Sequence, residues 1–289
     1  MYFGKVLTAM VTPFDGEGNL DLDRTTELVN YLLDNGTDGL VVAGTTGESP
    51  TLSHAEKLSL FKHVVEVVDK RVPVIAGTGS NNTEASIKLT KEAEAVGIDA
   101  ALLVTPYYNK PSQQGLIQHF NEVANQTTLP IMLYNIPGRS VVRIQPETVI
   151  ELAQTSNIVS IKDSTGDLDA ISSIIESTPD DFSLYSGDDS LTLPILSIGG
   201  EGIVSVASHV IGQQLQEMVT AYEQGNVKEA ANMHRKLQPI MKGMFIAPSP
   251  TPVKAALKAK GLDVGNVRLP LIDLSSEEQK QLFEILSWI

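Results

Sequence analysis

The sequence predicts an α/β fold: a closed (β/α)8 or TIM barrel followed by a C-terminal helical appendage. Three observations predict it. Eight short apolar runs recur between Val6 and Val206. Their centres lie roughly 20 to 34 residues apart, which leaves room for one crossover helix in each interval. The runs are rich in Val, Ile and Leu on both faces, as strands of a buried parallel sheet are. The alternative is an open doubly wound sheet. That fold usually has fewer strands and a glycine-rich first turn, and neither is present here.

The runs, in order, are Val6–Thr12, Gly39–Ala43, Pro73–Gly77, Ala100–Thr105, Pro130–Asn135, Ile158–Lys162, Phe182–Ser186 and Gly202–Val206. The stretches between them carry helix signals. Ser53-His54-Ala55-Glu56 reads as a capping box, in which the serine oxygen and the glutamate satisfy free N–H groups of the first turn. Leu58, Phe61, Val65 and Val68 then share one helical face. Gly97, after Ala93 and Val96, reads as a helix stop.

After Val206 the alternation ends. Val210–Gln224, Val227–Lys242, Thr251–Lys260 and Ser276–Trp288 read as helices without intervening strands. Gly225-Asn226 separates the first two, the proline-rich stretch from Ala247 to Pro252 forms a bend, and Ser275 to Glu278 caps the last. The expected division is a barrel over residues 1–224, holding the active site, and a helical domain over 225–289.

Composition narrows the function. The chain of 289 residues carries 21 Lys+Arg against 35 Asp+Glu, a formal charge of 21 − 35 = −14. That balance argues against nucleic acid and against an anionic membrane surface, both of which require clustered cations. There is no cysteine, so disulfides, thiolate nucleophiles and cysteine metal sites are excluded, and a cytoplasmic location fits. No apolar run approaches the roughly 18 residues that cross a bilayer. The start, Met1-Tyr2-Phe3-Gly4-Lys5, lacks a basic region followed by an apolar core, so no signal peptide is expected.

In such barrels chemistry sits at the C-terminal ends of the strands. Strand two ends in Gly44-Thr45-Thr46-Gly47-Glu48, strand four in Thr105-Pro106-Tyr107-Tyr108-Asn109-Lys110-Pro111, and strand five in Tyr134-Asn135-Ile136-Pro137-Gly138-Arg139. Strand six ends in Lys162-Asp163, and strand seven in Ser186-Gly187-Asp188-Asp189. Lys162 stands out, because most of the other lysines lie in helices or loops while it closes an apolar strand. Alternation places Ile158, Ser160 and Lys162 on one face. If that face points inward, desolvation disfavours the ammonium, and a neutral amine condenses with a carbonyl to a Schiff base. The competing reading is a solvent-facing lysine paired with Asp163.

The other strand ends supply partners, each with a plainer alternative. The Tyr134 phenol both donates and accepts, as a proton shuttle must, although many such tyrosines only fill barrels. Thr45 and Thr46 offer hydroxyls flanked by Gly44 and Gly47, which let backbone N–H groups approach an anion, although many turns look the same. Arg139 has a planar fork suited to a carboxylate, or to an ordinary surface ion pair. Asp188-Asp189, with no histidine near in sequence, reads as a helix cap or polar contact, and no metal is expected.

Together and in this order, these motifs resemble the pyruvate-dependent class I aldolase/lyase superfamily, and within it the dihydrodipicolinate synthases. The resemblance runs from Thr8-Ala9-Met10-Val11-Thr12-Pro13-Phe14 to the C-terminal helices. Gly-Thr-Thr-Gly-Glu-Ser and the strand-six lysine are shared widely in the superfamily. The Tyr107–Pro111 and Tyr134–Arg139 motifs are more diagnostic of the synthases.

The resemblance implies a lyase that condenses pyruvate with L-aspartate 4-semialdehyde in the route to diaminopimelate and lysine, without a cofactor. It implies an imine between pyruvate and Lys162, and a proton relay of Tyr134, Thr46 and Tyr108 with Thr45 beside it. Tyr108 would come from a neighbouring subunit of a homodimer or of a tetramer built as a dimer of dimers. Thr45 and Thr46 would also hold the pyruvate carboxylate, with the Val204 backbone in contact and Gly187 similarly placed. Arg139 would hold the semialdehyde carboxylate.

Lysine-inhibited relatives bind lysine in a subunit-interface cavity. Its matching positions here are Ser49, Pro50, His54, Lys57, Asn81, Ala85 and Tyr107. Responsive members commonly carry histidine where this chain has Lys57 and glutamate where it has Ala85. A cation without the carboxylate suits an amino-acid ligand poorly, and the adjacent Glu84 is turned about 100° away along its helix. Weak or absent feedback inhibition is expected.

Two rivals remain. An N-acetylneuraminate lyase or keto-deoxy-sugar aldolase of the same superfamily would share Lys162, Tyr134 and the Gly-Thr-Thr-Gly turn, but would lack Arg139. A non-enzymatic binding barrel would have lost Lys162, Tyr134 or Thr46, and all three are present.

Overall fold

A computed structural model of the chain describes residues 3–287. The expected eight strands are all present: β1 (Val6–Ala9), β2 (Gly39–Val42), β3 (Val74–Gly77), β4 (Ala100–Val104), β5 (Ile131–Asn135), β6 (Ile158–Asp163), β7 (Ser183–Ser186) and β8 (Gly202–Ser205). Each pairs in parallel with the next, and β8 returns to β1 through Leu7 opposite Val204, closing the barrel.

Around it lie α1 (Leu22–Asp34), α2 (His54–Val68), α3 (Thr83–Ala95), α4 (Gln113–Ala124), a one-turn α5 (Pro137–Ser140), α6 (Pro146–Leu152), α7 (Leu168–Ser177), α8 (Thr192–Ser197) and α9 (Ser208–Glu223). Three more helices follow: α10 (Val227–Gly243), α11 (Thr251–Ala259) and α12 (Ser276–Leu286). Trp288, which the sequence pattern assigns to the last helix, lies outside the described residues. No helix among the described residues is long and apolar enough to cross a membrane.

Local chemistry explains the helix starts. Both expected capping boxes form: Ser53 with Glu56 and Ser275 with Glu278 exchange side-chain and backbone bonds. Asp21, Asn82, Ser112 and Asp167 each accept a first-turn N–H at the starts of α1, α3, α4 and α7. Two details differ from the sequence pattern. In α2 the fully buried stripe is Leu60, Phe61, Val64 and Val68, while Leu58 and Val65 lie half-buried at its margin. The helix packs on β3 and between α1 and α3. In α9 the helix begins at Ser208, two residues before Val210, and bends at Ile211, whose backbone is not helical.

Apolar side chains form two layers. An inner cluster fills the barrel with Leu7, Ala9, Val41, Ile75, Leu102, Met132, Tyr134, Tyr185 and Val204, and Phe3 packs against it. The outer layer lies between sheet and helices and runs on without a break into Leu237, Met241, Val253, Leu257 and Leu282 of α10 to α12.

His209, at the start of α9, is fully buried. Its Nδ1 donates to the Val206 carbonyl at 2.8 Å, and its Nε2 accepts from Val11 N–H at 3.2 Å. A second proton on Nε2 would face that N–H. Burial therefore pushes its pKa down to about 4, and does the same to His119. Both are neutral in the folded state while the unfolded chain takes up protons below pH 6.5, so stability is full above that pH and lost toward pH 4. The loss should approach about 3 kcal/mol for each histidine. Denaturant unfolding across this range checks it: His209→Gln should show a shallower pH slope than wild type.

Candidate active site

Lys162 is the penultimate residue of β6, opposite Tyr134 on β5. The two strands do not match residue for residue. Ile131 faces Ile158, but the next residue, Met132, faces Ser160, so Val159 is an extra residue bulged into β6. The bulge corrects the expected alternation. Ile158 belongs to the outer layer, while Ser160 and Lys162 follow Met132 and Tyr134 to the inside. Lys162 is 5% exposed, and its Nζ lies 4.3 Å from the centre of the Tyr134 ring.

Asp163 is no partner for that amine. It is buried on the opposite face, where it accepts bonds from Thr165 N and Oγ1 and from Asn135 Nδ2. Burial pushes its carboxyl above the ordinary value, although these bonds pull the other way. Among the described residues no carboxylate forms an ion pair with Lys162. The competing reading from sequence, a solvent-facing lysine paired with Asp163, is thereby excluded.

The loop after β2 closes on itself through Glu48 N–H to Thr45 O at 3.1 Å and Ser49 N–H to Gly44 O at 3.2 Å. Thr45 lines a cavity of about 290 Å³ at the barrel mouth, together with Leu102, Val104, Tyr107, Tyr134 and Arg139. Thr46 is buried beside it and is not part of that cavity wall. Val204 lies in the barrel interior in the same cluster as Tyr134.

Arg139 is presented by α5. Asn135 ties the following segment back to β5, giving an Nδ2 bond to the Ile144 carbonyl and accepting from Ile144 N–H at 3.0 Å. Ser140 Oγ bonds the carbonyls of Ile136 and Val142. Arg139 borders both the first cavity and a second of about 610 Å³, lined also by Ser164, Gly187, Asp188, Met241, Lys242 and Phe245. Asp188 caps the turn after β7 by accepting from Ser190 N–H, the role its sequence position suggests.

Tyr108 stands apart. Its residue is 88% exposed, and it joins neither cavity within this chain. The turn that carries it is nevertheless clipped: Asn81 Nδ2 bonds the Tyr107 carbonyl at 3.1 Å, and Asn109 Nδ2 bonds the Asn81 carbonyl at 2.9 Å. Of the positions matched to a lysine site, Ser49, Pro50, Lys57 and Tyr107 border the first cavity. His54 is paired with Glu92, and Ala85 lies in the first turn of α3. Burial pushes the Lys57 ammonium down from its ordinary value.

A family model for the dihydrodipicolinate synthetase family matches residues 2–289 of this chain. The chain belongs to that family. It is 63% identical to 4-hydroxy-tetrahydrodipicolinate synthase 2 of Halalkalibacterium halodurans, over 98% of this chain and 97% of the relative. It is 60% identical to the 4-hydroxy-tetrahydrodipicolinate synthase of Bacillus subtilis, over 99% of each. A crystal structure of a dihydrodipicolinate synthase from Bacillus anthracis superimposes with a TM-score of 0.99 at 59% identity, covering 100% of this chain and 99% of that one.

Dihydrodipicolinate synthase membership agrees with the sequence resemblance, and the site holds features the strand-end motifs did not reveal. Gly187 is one. A Cβ there would lie 1.9 Å from Ser164 Oγ, 3.0 Å from Lys162 Cε and 3.2 Å from the Asp163 carbonyl. The serine hydroxyl could rotate away, but the strand carbonyl is fixed, and the buried lysine stem would have to shift by a few tenths of an ångström. The side wall of the second cavity is another. Its residues Met241, Lys242 and Phe245 follow from how α10 docks, which no local pattern encodes.

Gly187→Ala should slow borohydride trapping of pyruvate on the protein by about tenfold, with the fold retained. A time course of adduct formation by intact mass checks it, and wild-type kinetics would mean that the lysine stem is not confined there.

Proposed function

We propose that the chain catalyses a class I aldolase-type condensation of pyruvate with L-aspartate 4-semialdehyde, giving 4-hydroxy-tetrahydrodipicolinate in the diaminopimelate and lysine route. The observation that carries the reading is the buried amine of Lys162 against the Tyr134 ring, without a carboxylate partner, at the mouth of a closed barrel. Such an amine attacks the pyruvate ketone and loses water to form an imine. Loss of a methyl proton gives the enamine, whose carbon attacks the semialdehyde. The substrate's own amine then displaces Lys162 and closes the ring.

Residue roles follow the same reading. Tyr134, Thr46 and Tyr108 carry protons, with Thr45 beside them. Thr45, Thr46 and the Val204 backbone receive the pyruvate carboxylate, and Gly187 leaves room for the lysine stem. Arg139, at the border of two cavities and without an ion-pair partner among the described residues, suits the semialdehyde carboxylate. That arginine favours the synthase over a sugar aldolase, whose substrate calls for hydroxyl partners.

The chain is read as a homo-oligomer, a dimer or a tetramer, because a rigidly clipped turn offers Tyr108 outward. It is placed in the cytoplasm, which suits a chain without cysteine. Residues 1–224 form the catalytic barrel, and residues 225–289 form a helical domain that buttresses it.

The experiment is borohydride trapping with pyruvate. Wild type should gain one adduct, mapped to Lys162, and Lys162→Ala should gain none and lose at least about a thousandfold in kcat. An adduct that persists in Lys162→Ala would point to another nucleophile or to a binding module. Condensation with aspartate semialdehyde, assayed beside sialic-acid cleavage, separates the sugar-lyase rival. L-lysine at sub-millimolar concentration should leave the initial rate unchanged, since Lys57 and Ala85 replace the residues that suit that ligand; inhibition in that range would reverse this reading.

A further inference from the structure

Glu48 closes the loop that carries Thr45 and Thr46, yet its side chain turns away from the cavity and is wholly buried. Its partners come from more than 200 residues further along the chain. One carboxylate oxygen lies 2.8 Å from Lys254 Nζ on α11, whose side chain is 3% exposed. The other accepts from Arg268 N–H at 2.9 Å. Lys254 also donates to the Asn266 carbonyl at 2.9 Å.

Phe14 lies beneath both cations, with Lys254 Nζ 4.3 Å and Arg268 Cζ 4.1 Å from its ring centre. The Arg268 guanidinium then reaches outward to the carbonyls of Gly18 and Thr51 and to the carboxylate of Glu56.

The backbone gives this arrangement a cost. Glu48 has φ of +54, a left-handed conformation that glycine adopts freely and glutamate does not. Ala43, at the other end of the loop, has φ of +51. A glycine at 48 would relieve the backbone, so the tied side chain must outweigh that relief. Glu48 N–H in turn bonds the Thr45 carbonyl, so carboxylate, backbone and threonine form one short rigid path.

We infer that Glu48, gripped by Lys254 and Arg268, is a positioning residue that sets the Thr45–Thr46 hydroxyls for the pyruvate carboxylate. The inference rests on the reading of those threonines as the pyruvate site. It makes the segment from Lys254 to Arg268 part of the framework of a site it never touches. A displaced loop should weaken pyruvate capture while sparing the semialdehyde end, because Arg139 follows a different strand, β5, whose own loop is tied back through Asn135 and the Ile144 backbone.

The test uses the full chain and three variants. Glu48→Gln and Lys254→Met each cut the inner pair, while Glu56→Gln cuts only the outer arm of the same cluster. The readouts are the rate of borohydride trapping with pyruvate alone, kcat and KM for each substrate, and the melting temperature. The inner variants should trap pyruvate about tenfold more slowly and raise its KM, with KM for the semialdehyde within about twofold of wild type. Glu56→Gln should lower the melting temperature and leave pyruvate trapping unchanged.

Equal losses for both substrates, wild-type trapping in the inner variants, or the same pyruvate defect in Glu56→Gln would overturn the inference. If Glu48→Gln does not fold, Lys254→Met decides; if neither folds, the cluster is structural only and the inference fails. Wild type that traps no pyruvate sinks the proposed function along with it, whereas trapping that is equal in wild type and Glu48→Gln sinks this inference alone.

Discussion

The barrel of this protein has no empty centre, and that constraint decides where everything else goes. Inward side chains from the strands occupy the interior, and Phe3 packs at the other end, where its N–H bonds the Tyr185 hydroxyl at 3.1 Å. A barrel interior filled by side chains in this way is a packed core rather than a pore. The open space that remains is at the C-terminal rim, where the strands end in polar and small residues. Lys162 and Tyr134 are the last inward-facing positions of their strands; Tyr134 lines the first cavity, and the Lys162 amine is buried against the Tyr134 ring.

Holding polar atoms in that position requires buried polar support, and the structure supplies it strand by strand. Asn135 and Asp163 share a bond at 3.3 Å and divide their remaining capacity between the loops after β5 and β6. Asp189, buried behind β8, accepts from the N–H groups of Val206 and Ala207 and from Ser205 Oγ, and so fixes the end of the strand that carries Val204. Burial raises the carboxyl pKa of both aspartates, the usual result when a charge is withdrawn from water. A buried polar group with its bonds made is specific; with one bond missing it is destabilising. The rim therefore tolerates little rearrangement, although its reactive side chains are few.

The architecture was legible in the sequence because its signals are local. Runs apolar on both faces mark strands of a covered parallel sheet, and all eight fall within a residue or a few of the observed ends. The capping serines read correctly because a cap is settled within four residues. Lys162 was legible because a lysine that closes an apolar strand is unusual in itself. What could not be read depends on pairing. The extra residue at Val159 is visible only against β5, so alternation placed Ile158 on the wrong side. Glu48 lies within a motif noticed for its threonines, and nothing near it in sequence announces Lys254 or Arg268. The second cavity likewise needs α10 brought against the loops after β5 and β7.

The long reach of the Glu48 contacts also bears on how the chain comes together during synthesis. A ribosome delivers β2 and its loop early, and Lys254 and Arg268 near the end. Until they emerge, a nascent barrel holds a carboxylate with no cation to meet it, on a backbone bent against its own preference. The Glu48 contacts at the mouth of the barrel can therefore close only after residue 268 has been made, and a chain that stops before Lys254 lacks both of them.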